Sequence, residues 1–238
     1  MTGEHIFSAW MSKLFPGRTF RFFRLDDTGN IIKQWPVKEI DITAKVVCKE
    51  CNEGWMSNLE QHHAQPNLAD MILGKNTAIS PSQARALARF AFKTAVVIDH
   101  MRREEPFFFP RSVRHHFAKS LTIPRTSQMW FAGYAPRVSG RVYPEWYEHH
   151  LDSENFIKLY ACTYGVGHLV FQVVSAQYPP ISRSFAPRTD FKHLAIPLWP
   201  NIPQGITWPP PYMLRNRAEF ERFSERWGNI EFVGTALG

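Results

Sequence analysis

Two cysteines separated by two residues, Cys48 and Cys51, are the feature that most constrains what this chain can fold into. Residues 40–47, just before them, alternate and are β-branched, which predicts a strand that ends at Cys48. Asn52 follows directly, and the apolar residues after it recur at helical spacing: Trp55, Met56 and Leu59. The sequence therefore predicts a strand and a helix whose junction carries two thiols and an amide.

The chain before this junction predicts further short strands. Residues 19–25 are rich in Phe, and residues 31–37 form the expected return strand. The turn-forming residues 26–30 lie between them, so we expect a hairpin. Glu4 and His5 lie on a very short predicted strand at the start of the chain.

A well-marked helix begins after Ser80, which is placed as an N-cap with Pro81 at the first helical position. Arg85, Arg89 and Lys93 recur every four residues on one side of it. We interpret this basic stripe as a solvated helix face, in preference to a surface that contacts phosphates.

The remaining pattern mixes helices and strands, so we predict an α+β fold. Further helices are expected at 112–119 and 217–227, and strands at 129–134, 156–164, 168–175 and 194–199. The strands 156–164 and 168–175 are expected to pair as a hairpin across Gly165, Val166 and Gly167.

The composition indicates which kind of binding partner and which cellular compartment to expect. The net charge of +7 and the pI near 9.5 are compatible with a polyanionic partner. Three cysteines, of which two form one Cys-x-x-Cys, argue against a disulfide scaffold and for a reducing compartment. No basic region followed by an apolar run opens the chain, and charged residues interrupt the apolar stretch 84–101. We therefore expect a cytoplasmic protein that does not bind or span a membrane.

Glu4-His5 together with Cys48-Lys49-Glu50-Cys51-Asn52 resembles the HNH endonuclease family, whose motif opens with an acidic-His pair and ends with Cys-x-x-Cys-His or Cys-x-x-Cys-Asn. The longer string 51–60 is similar to a bacterial subgroup with the signature CN-x-GWM-x-x-LE. The resemblance covers roughly the first third of the chain. It implies a ββα-metal module over residues 1–74, followed by an α+β region of unknown role over residues 75–238.

The resemblance also implies roles for individual residues. Hydrolysis of a phosphodiester needs an activated water, a base and a cation that stabilises the leaving 3′-oxygen. His5 would be the base, and a neutral imidazole suits that role near pH 7. Glu4 and Asn52 would hold a catalytic Mg²⁺ or Mn²⁺ through oxygen atoms. Cys48 and Cys51 would supply half of a structural Zn²⁺ site.

The chain departs from the family pattern at two places. Family members usually carry a second Cys-x-x-Cys upstream of the acidic-His pair, and none precedes Glu4, so the zinc ligand set is incomplete. Thr43 stands where the family has a central Asn that orients the base. Three explanations stay open: a gene start upstream of Met1, an inactive relative, or a subgroup that dispenses with zinc.

Several other residues are candidates for ligands or contacts. Arg18, Arg21 and Arg24, near the predicted site, are candidates for nucleic-acid phosphate contacts, or else Arg21 belongs to an ordinary amphipathic strand. Cys162 and His168 could in principle complete a zinc site, but we expect Cys162 to be buried. Glu60 is interpreted as a surface or capping charge in preference to an outer ligand or base partner. The adjacent histidine pairs are interpreted as surface residues: 62–63, 115–116 and 149–150.

The function predicted from the sequence is metal-dependent hydrolysis of phosphodiester bonds in DNA. The alternative is a catalytically inactive nucleic-acid-binding or assembly protein that keeps the ββα scaffold. A third hypothesis is a zinc-dependent scaffold whose aromatic C-terminal region binds protein.

Overall fold

The computed structural model describes residues 2–16, 20–25, 31–37, 43–100, 106–150, 156–177, 183–187, 191–224 and 230–234. The described helices are α1 (Ala9–Ser12), α2 (Lys49–Cys51), α3 (Gln65–Leu73), α4 (Pro81–Asp99), α5 (Arg111–Ser120) and α6 (Arg217–Ser224), with π-helical segments at Asn52–Met56 and Leu59–Ala64. The described strands are β1 (Thr2–His5), β2 (Phe20–Leu25), β3 (Ile31–Val37), β4 (Thr43–Val47), β5 (Thr77–Ile79), β6 (Ser127–His150), β7 (Phe156–Gln177), β8 (Arg183–Pro187), β9 (Ile196–Trp199), β10 (Ile206–Trp208), β11 (Met213–Leu214) and β12 (Ile230–Gly234). Helices and strands are both abundant, as the predicted α+β class requires.

The largest sheet is built on the long antiparallel pair β6 and β7. On its other side β6 pairs with β9 in antiparallel and with β11 in parallel orientation. Successive side chains of a strand point to opposite faces, and here the two sets join two different apolar clusters. The first cluster takes Met129, Phe131, Tyr160, Cys162 and Tyr164, and the second takes Trp130, Ala132, Leu159 and Ala161. Both faces of the sheet are therefore buried.

Helix α4 covers the first face. It begins as the sequence predicts: the Ser80 side chain accepts a hydrogen bond from the Gln83 backbone N–H, and the Gln83 side chain accepts one from the Ser80 backbone N–H. Two tyrosines of β7 fix the helix to the sheet, since Tyr160 and Tyr164 donate their hydroxyl hydrogens to carbonyl oxygens of α4, at 3.0 Å and 3.4 Å. Burial raises the pKa of both tyrosines well above the ordinary value.

Helix α6 covers the second face through Phe220 and Phe223, which are buried. The Gln172 side chain of β7 donates to the Phe223 carbonyl oxygen at 2.9 Å and ties the helix to the strand. The sheet therefore lies between a helical layer on each side, and this arrangement explains why its strands are continuous apolar runs in the sequence.

The predicted hairpin of residues 156–164 and 168–175 is wrong. Residues 156–177 form one strand, β7, and its partner along the whole length is β6. The glycines allow a close approach where a turn was expected: Gly167 has a φ of +59°, and a Cβ there would lie 2.1 Å from the Ile72 carbonyl oxygen. The register of β6 against β7 shifts at the same place, between Gly133 and Val138 and again before Arg141.

The N-terminal strands match the prediction more closely. β2 and β3 form the expected antiparallel hairpin. β4 delivers the chain to Cys48, although the described strand begins at Thr43. One apolar cluster contains Ile6 and Phe7 as well as Phe171 of β7, so residues on both sides of the predicted boundary at residue 74 share a core. The division into two modules stays a prediction.

Among the described residues, every helix is too short or too polar to cross a membrane.

Candidate functional site

The pairing of β1 with β4 places the two halves of the motif, which are far apart in the sequence, on neighbouring strands. These strands are antiparallel, with Glu4 opposite Ala44 and His5 opposite Thr43. His5 is half-buried, and the next two residues, Ile6 and Phe7, are buried in the main core. The core thus anchors the end of β1 and fixes the position of His5 beside the strand that leads to the cysteines.

Cys48 ends the strand and caps the helix that follows. Its Sγ accepts a hydrogen bond from the Cys51 backbone N–H at 3.3 Å, and its carbonyl oxygen accepts one from the Asn52 backbone N–H at 3.0 Å. Cys48 is exposed and Cys51 is half-buried. The two thiols and Asn52 therefore lie on one turn of backbone directly after β4.

The thiols differ in acidity because one donates to the other. Hydrogen bonds from the Cys51 thiol and backbone to Cys48 Sγ lower the pKa of Cys48. The same thiol hydrogen bond, together with desolvation, raises the pKa of Cys51. Of these two thiols, Cys48 is consequently the one that ionises first.

The helix after the cysteines is irregular. It contains the π-helical segments Asn52–Met56 and Leu59–Ala64, and Gly54 has the non-helical angles φ −92° and ψ −110°. Short π-helical segments are frequent at functional sites. Met56 and Leu59 are buried, and the Trp55 ring contacts Phe117 of α5 edge to face, with centroids 5.6 Å apart. Side chains rather than regular backbone hold this segment on the core.

Lys93 corrects the interpretation of the basic stripe on α4. Arg85 is exposed and Arg89 is half-buried, but the Lys93 side chain is only 1% exposed. Its Nζ contacts Glu60 Oε1 and lies 5.3 Å from the Phe90 ring centroid. The sequence interpretation failed because α4 is covered twice, by the sheet and by the segment that follows Asn52, and helical periodicity predicts only one buried face.

Glu60 is therefore not a free surface charge. Its side chain is 15% exposed and forms an ion pair with Lys93. This contact joins the helix of the motif to α4, and it holds the segment that begins at Asn52 in a fixed position against the core.

The zinc ligand set stays incomplete in the described part of the chain. There, no three His, Cys, Asp or Glu side chains lie close enough together to hold a metal ion. Cys162 is buried in the core as expected, and His168 Nδ1 lies 2.8 Å from the Tyr134 carbonyl oxygen. Cys48 and Cys51 thus fit two positions of a tetrahedral thiolate site and no more. The side chain of Glu4, a predicted ligand of the catalytic cation, lies outside the described part.

The arginines predicted to contact phosphates are placed only in part. Arg18 lies outside the described residues. Arg21 and Arg24 are on β2, opposite Pro36 and Lys33 of β3, and these two strands form a sheet separate from β1 and β4. Their role stays a prediction. Among the histidine pairs, His62, His63, His115 and His116 are exposed as expected, and the side chains of 149–150 lie outside the described part.

Two residues that hold the site in place were missed by sequence reasoning. Lys93 looked like one member of a charged stripe, and Phe117 had no partner in the nearby sequence. Neither role could be predicted from the nearby sequence, because the partners of these residues, Glu60 and Trp55, belong to a distant segment.

Comparison with protein-family models, with curated proteins and with solved structures finds no match to this chain.

Proposed function

We propose that this chain is a metal-dependent endonuclease that hydrolyses phosphodiester bonds in DNA. The observation that carries the proposal is the pairing of β1 with β4, which sets His5 opposite Thr43 on the strand that leads directly into Cys48, Cys51 and Asn52. This order of parts is the one that the resemblance to HNH endonucleases implies. The net charge of +7 suits a polyanionic substrate.

His5 acts in this proposal as the general base. A neutral imidazole accepts a proton from the water that attacks the phosphorus atom. The half-buried position of His5 at the end of β1 limits the orientations of the ring. Thr43, its partner in the register, carries a hydroxyl group in place of the amide that the family uses to orient the base.

Glu4 and Asn52 are the proposed ligands of the catalytic cation. A bound Mg²⁺ or Mn²⁺ would stabilise negative charge on the phosphate and on the leaving 3′-oxygen. Asn52 is half-buried, and its backbone N–H is hydrogen-bonded to the Cys48 carbonyl oxygen, so its backbone is fixed relative to the end of β4. The amide oxygen is a hard donor of the kind that these cations prefer.

A second candidate function is a non-catalytic nucleic-acid-binding protein that keeps the same scaffold. The incomplete thiolate set at Cys48 and Cys51 in the described part of the chain, and the replacement of the family's central Asn by Thr43, favour it. The two functions differ in one measurable property, since only the first requires His5 for its activity.

The test is plasmid nicking by the purified chain with Mg²⁺, with Mn²⁺ and with EDTA, beside His5→Ala and His5→Gln. Nicking that needs the metal and falls by about 10²-fold or more in both variants is expected for loss of a general base. His193→Ala is the matched control, because His193 is exposed between β8 and β9 and has no role in the proposed site, so this variant should leave nicking unchanged. Circular dichroism establishes that each variant is folded. A folded wild type that fails to nick DNA with either metal would leave the second candidate.

A further inference from the structure

Helix α5 presents an exposed surface that carries basic side chains. With 3.6 residues per turn, its residues fall into a buried side and an exposed side. Phe117 is buried and Val113 is half-buried on the first side. We call the exposed side the α5 basic face, and it consists of Arg111, Ser112, His115, His116 and Lys119, all of them exposed. Arg111, His115 and Lys119 are spaced four residues apart and span about 12 Å along the helix axis.

In the described part of the chain, no carboxylate pairs with the cations of this surface. From residue 106 to residue 144 the sequence contains no Asp or Glu, whereas six Lys or Arg residues occur there: Arg111, Arg114, Lys119, Arg125, Arg137 and Arg141. Within the described part of the chain, neither Arg111 nor Lys119 forms an ion pair. Arg111 Nε instead lies 3.4 Å from His115 Nε2, which keeps two members of the face side by side.

The start of α6 shows that cations on or next to a short helix of this protein can be neutralised. There Arg215 pairs with Glu219 and Arg217 pairs with Glu221, each four residues apart. Such pairing is the ordinary way to stabilise an exposed helix face. Since α5 has no carboxylate that could pair in this way, mutual repulsion of its cations favours a bound polyanion.

Aromatic packing joins α5 to the helical segment that follows Asn52. Phe117, on the opposite side of α5, contacts the Trp55 ring at 5.6 Å and the Phe92 ring of α4 at 4.8 Å. Trp55 comes three residues after Asn52 in the same helical segment. The face is thus held by aromatic packing, and its distance from the motif is set by that packing rather than by a loop.

We infer that the α5 basic face binds the phosphate backbone of duplex DNA and holds it beside the candidate site. Lys and Arg contacts to phosphates position a duplex without reading its sequence, and exposed Ser and His side chains add hydrogen-bond donors to the same oxygens. This inference deepens the proposed function, on which it rests for the identity of the substrate. The binding itself requires neither His5 nor a metal. An experiment can therefore refute the binding surface without refuting the nuclease, and the reverse.

The test is binding of a fluorescently labelled DNA duplex in EDTA, by anisotropy over a series of salt concentrations. The variant is Arg111→Gln with Lys119→Gln, because Gln is a good helix former and both positions are exposed. The charge-matched control is Arg215→Gln with Arg217→Gln at the start of α6, which removes the same number of charges from a surface whose cations are already paired. Thermal unfolding of both variants verifies that the fold is kept.

The α5 variant is expected to bind about tenfold more weakly and to lower the salt slope by about 2, one for each lost phosphate contact. The α6 control should stay within roughly twofold of the wild type, the effect of net charge alone. Equal weakening by both variants would overturn the inference, as would binding unaffected by the α5 variant. A wild type that binds single-stranded RNA or anionic vesicles but not duplex DNA would overturn it too.

The nicking experiment then separates the two proposals. Duplex binding that depends on the α5 basic face in a chain that never nicks DNA supports the surface and refutes the nuclease. Nicking that depends on His5 and survives intact in the α5 variant supports the nuclease and refutes the surface.

Discussion

Two regions of the molecule differ in how regular their backbone is. The first is the central sheet together with α4, and the second is the segment from Cys48 to Ala64. In the first region regular elements bury both faces of a sheet, and a capping box starts the helix. In the second region the helix is interrupted by π-helical segments and by non-helical angles at Gly54. It is attached to α4 through the Glu60–Lys93 ion pair and to α5 through the contact between Trp55 and Phe117.

The difference shows how a site can be irregular without being loosely placed. The polar groups of the candidate site lie on short elements, β1, β4 and α2, which could not be stable alone. Apolar side chains on either side of them are buried in the core: Ile6, Phe7, Met56 and Leu59. The regular region thus supplies the stability, and the irregular region carries the exposed chemistry. Substitutions in the two regions should therefore differ in kind as well as in size.

The largest effect is expected for Gly167→Ala, in the regular region. A Cβ would lie 2.1 Å from the Ile72 carbonyl oxygen, and the φ of +59° is unfavourable for alanine. The free energy of unfolding should fall by about 3 kcal/mol or more, measured by urea denaturation. Gly54→Ala is the matched control in the irregular region, since the added Cβ would meet nothing within 4 Å beyond its chain neighbours and its own helix backbone. It should change stability by less than about 1 kcal/mol.

If Gly54→Ala were as destabilising as Gly167→Ala, the irregular segment would be as tightly packed as the sheet. The contrast between the two regions would then be wrong.

A smaller effect is expected for Lys93→Met, at the contact between the regions. Methionine keeps the apolar stem but leaves Glu60 without its cation, which should cost about 2 kcal/mol in unfolding free energy. The double variant Lys93→Met with Glu60→Gln should recover part of that loss, because the uncompensated charge is gone. The double-mutant cycle is measured by denaturation. If the two losses of unfolding free energy were simply additive, the Lys93–Glu60 pair would not couple the two regions.

What the sequence could predict is local, and what it could not predict depends on distant partners. The start of α4 was predictable because Ser80, Pro81 and Gln83 cap it within one turn. The β2–β3 hairpin and the strand that leads to Cys48 follow from short-range patterns as well. The path of β7 was not predictable, because a Gly-x-Gly sequence is compatible with a turn or with a close approach, and the Ile72 carbonyl decides between them.

The candidate site follows the same division. The residue types at Glu4, His5, Cys48, Cys51 and Asn52 are enough to suggest a chemistry. The pairing of β1 with β4 adds an adjacency that the residue types alone do not fix. The position of α5 beside the motif depends on one aromatic contact between Trp55 and Phe117, and no local sequence pattern in either segment predicts that contact.

The smallest effect is expected for Cys51→Ala, which should alter one thiol and leave the fold unchanged. The Cys51 thiol is the first cause of the lowered pKa of Cys48, and the Cys51 backbone N–H is the second. Removing the thiol should therefore raise the pKa of Cys48, and the remaining N–H bond should keep it below the ordinary value. Since the thiolate is the reactive form, alkylation of Cys48 by iodoacetamide in EDTA should begin at a higher pH in the variant than in the wild type.

Peptide mass spectrometry distinguishes Cys48 from the buried Cys162, which should stay unlabelled while the protein is folded. Cys51→Ser is the matched control, because its hydroxyl can still donate to Cys48 Sγ and should keep part of the shift. An alkylation profile that is the same in all three proteins would mean that the thiols do not interact. The junction after β4 would then lack the fixed geometry on which a shared metal ligand role for Cys48 and Cys51 depends.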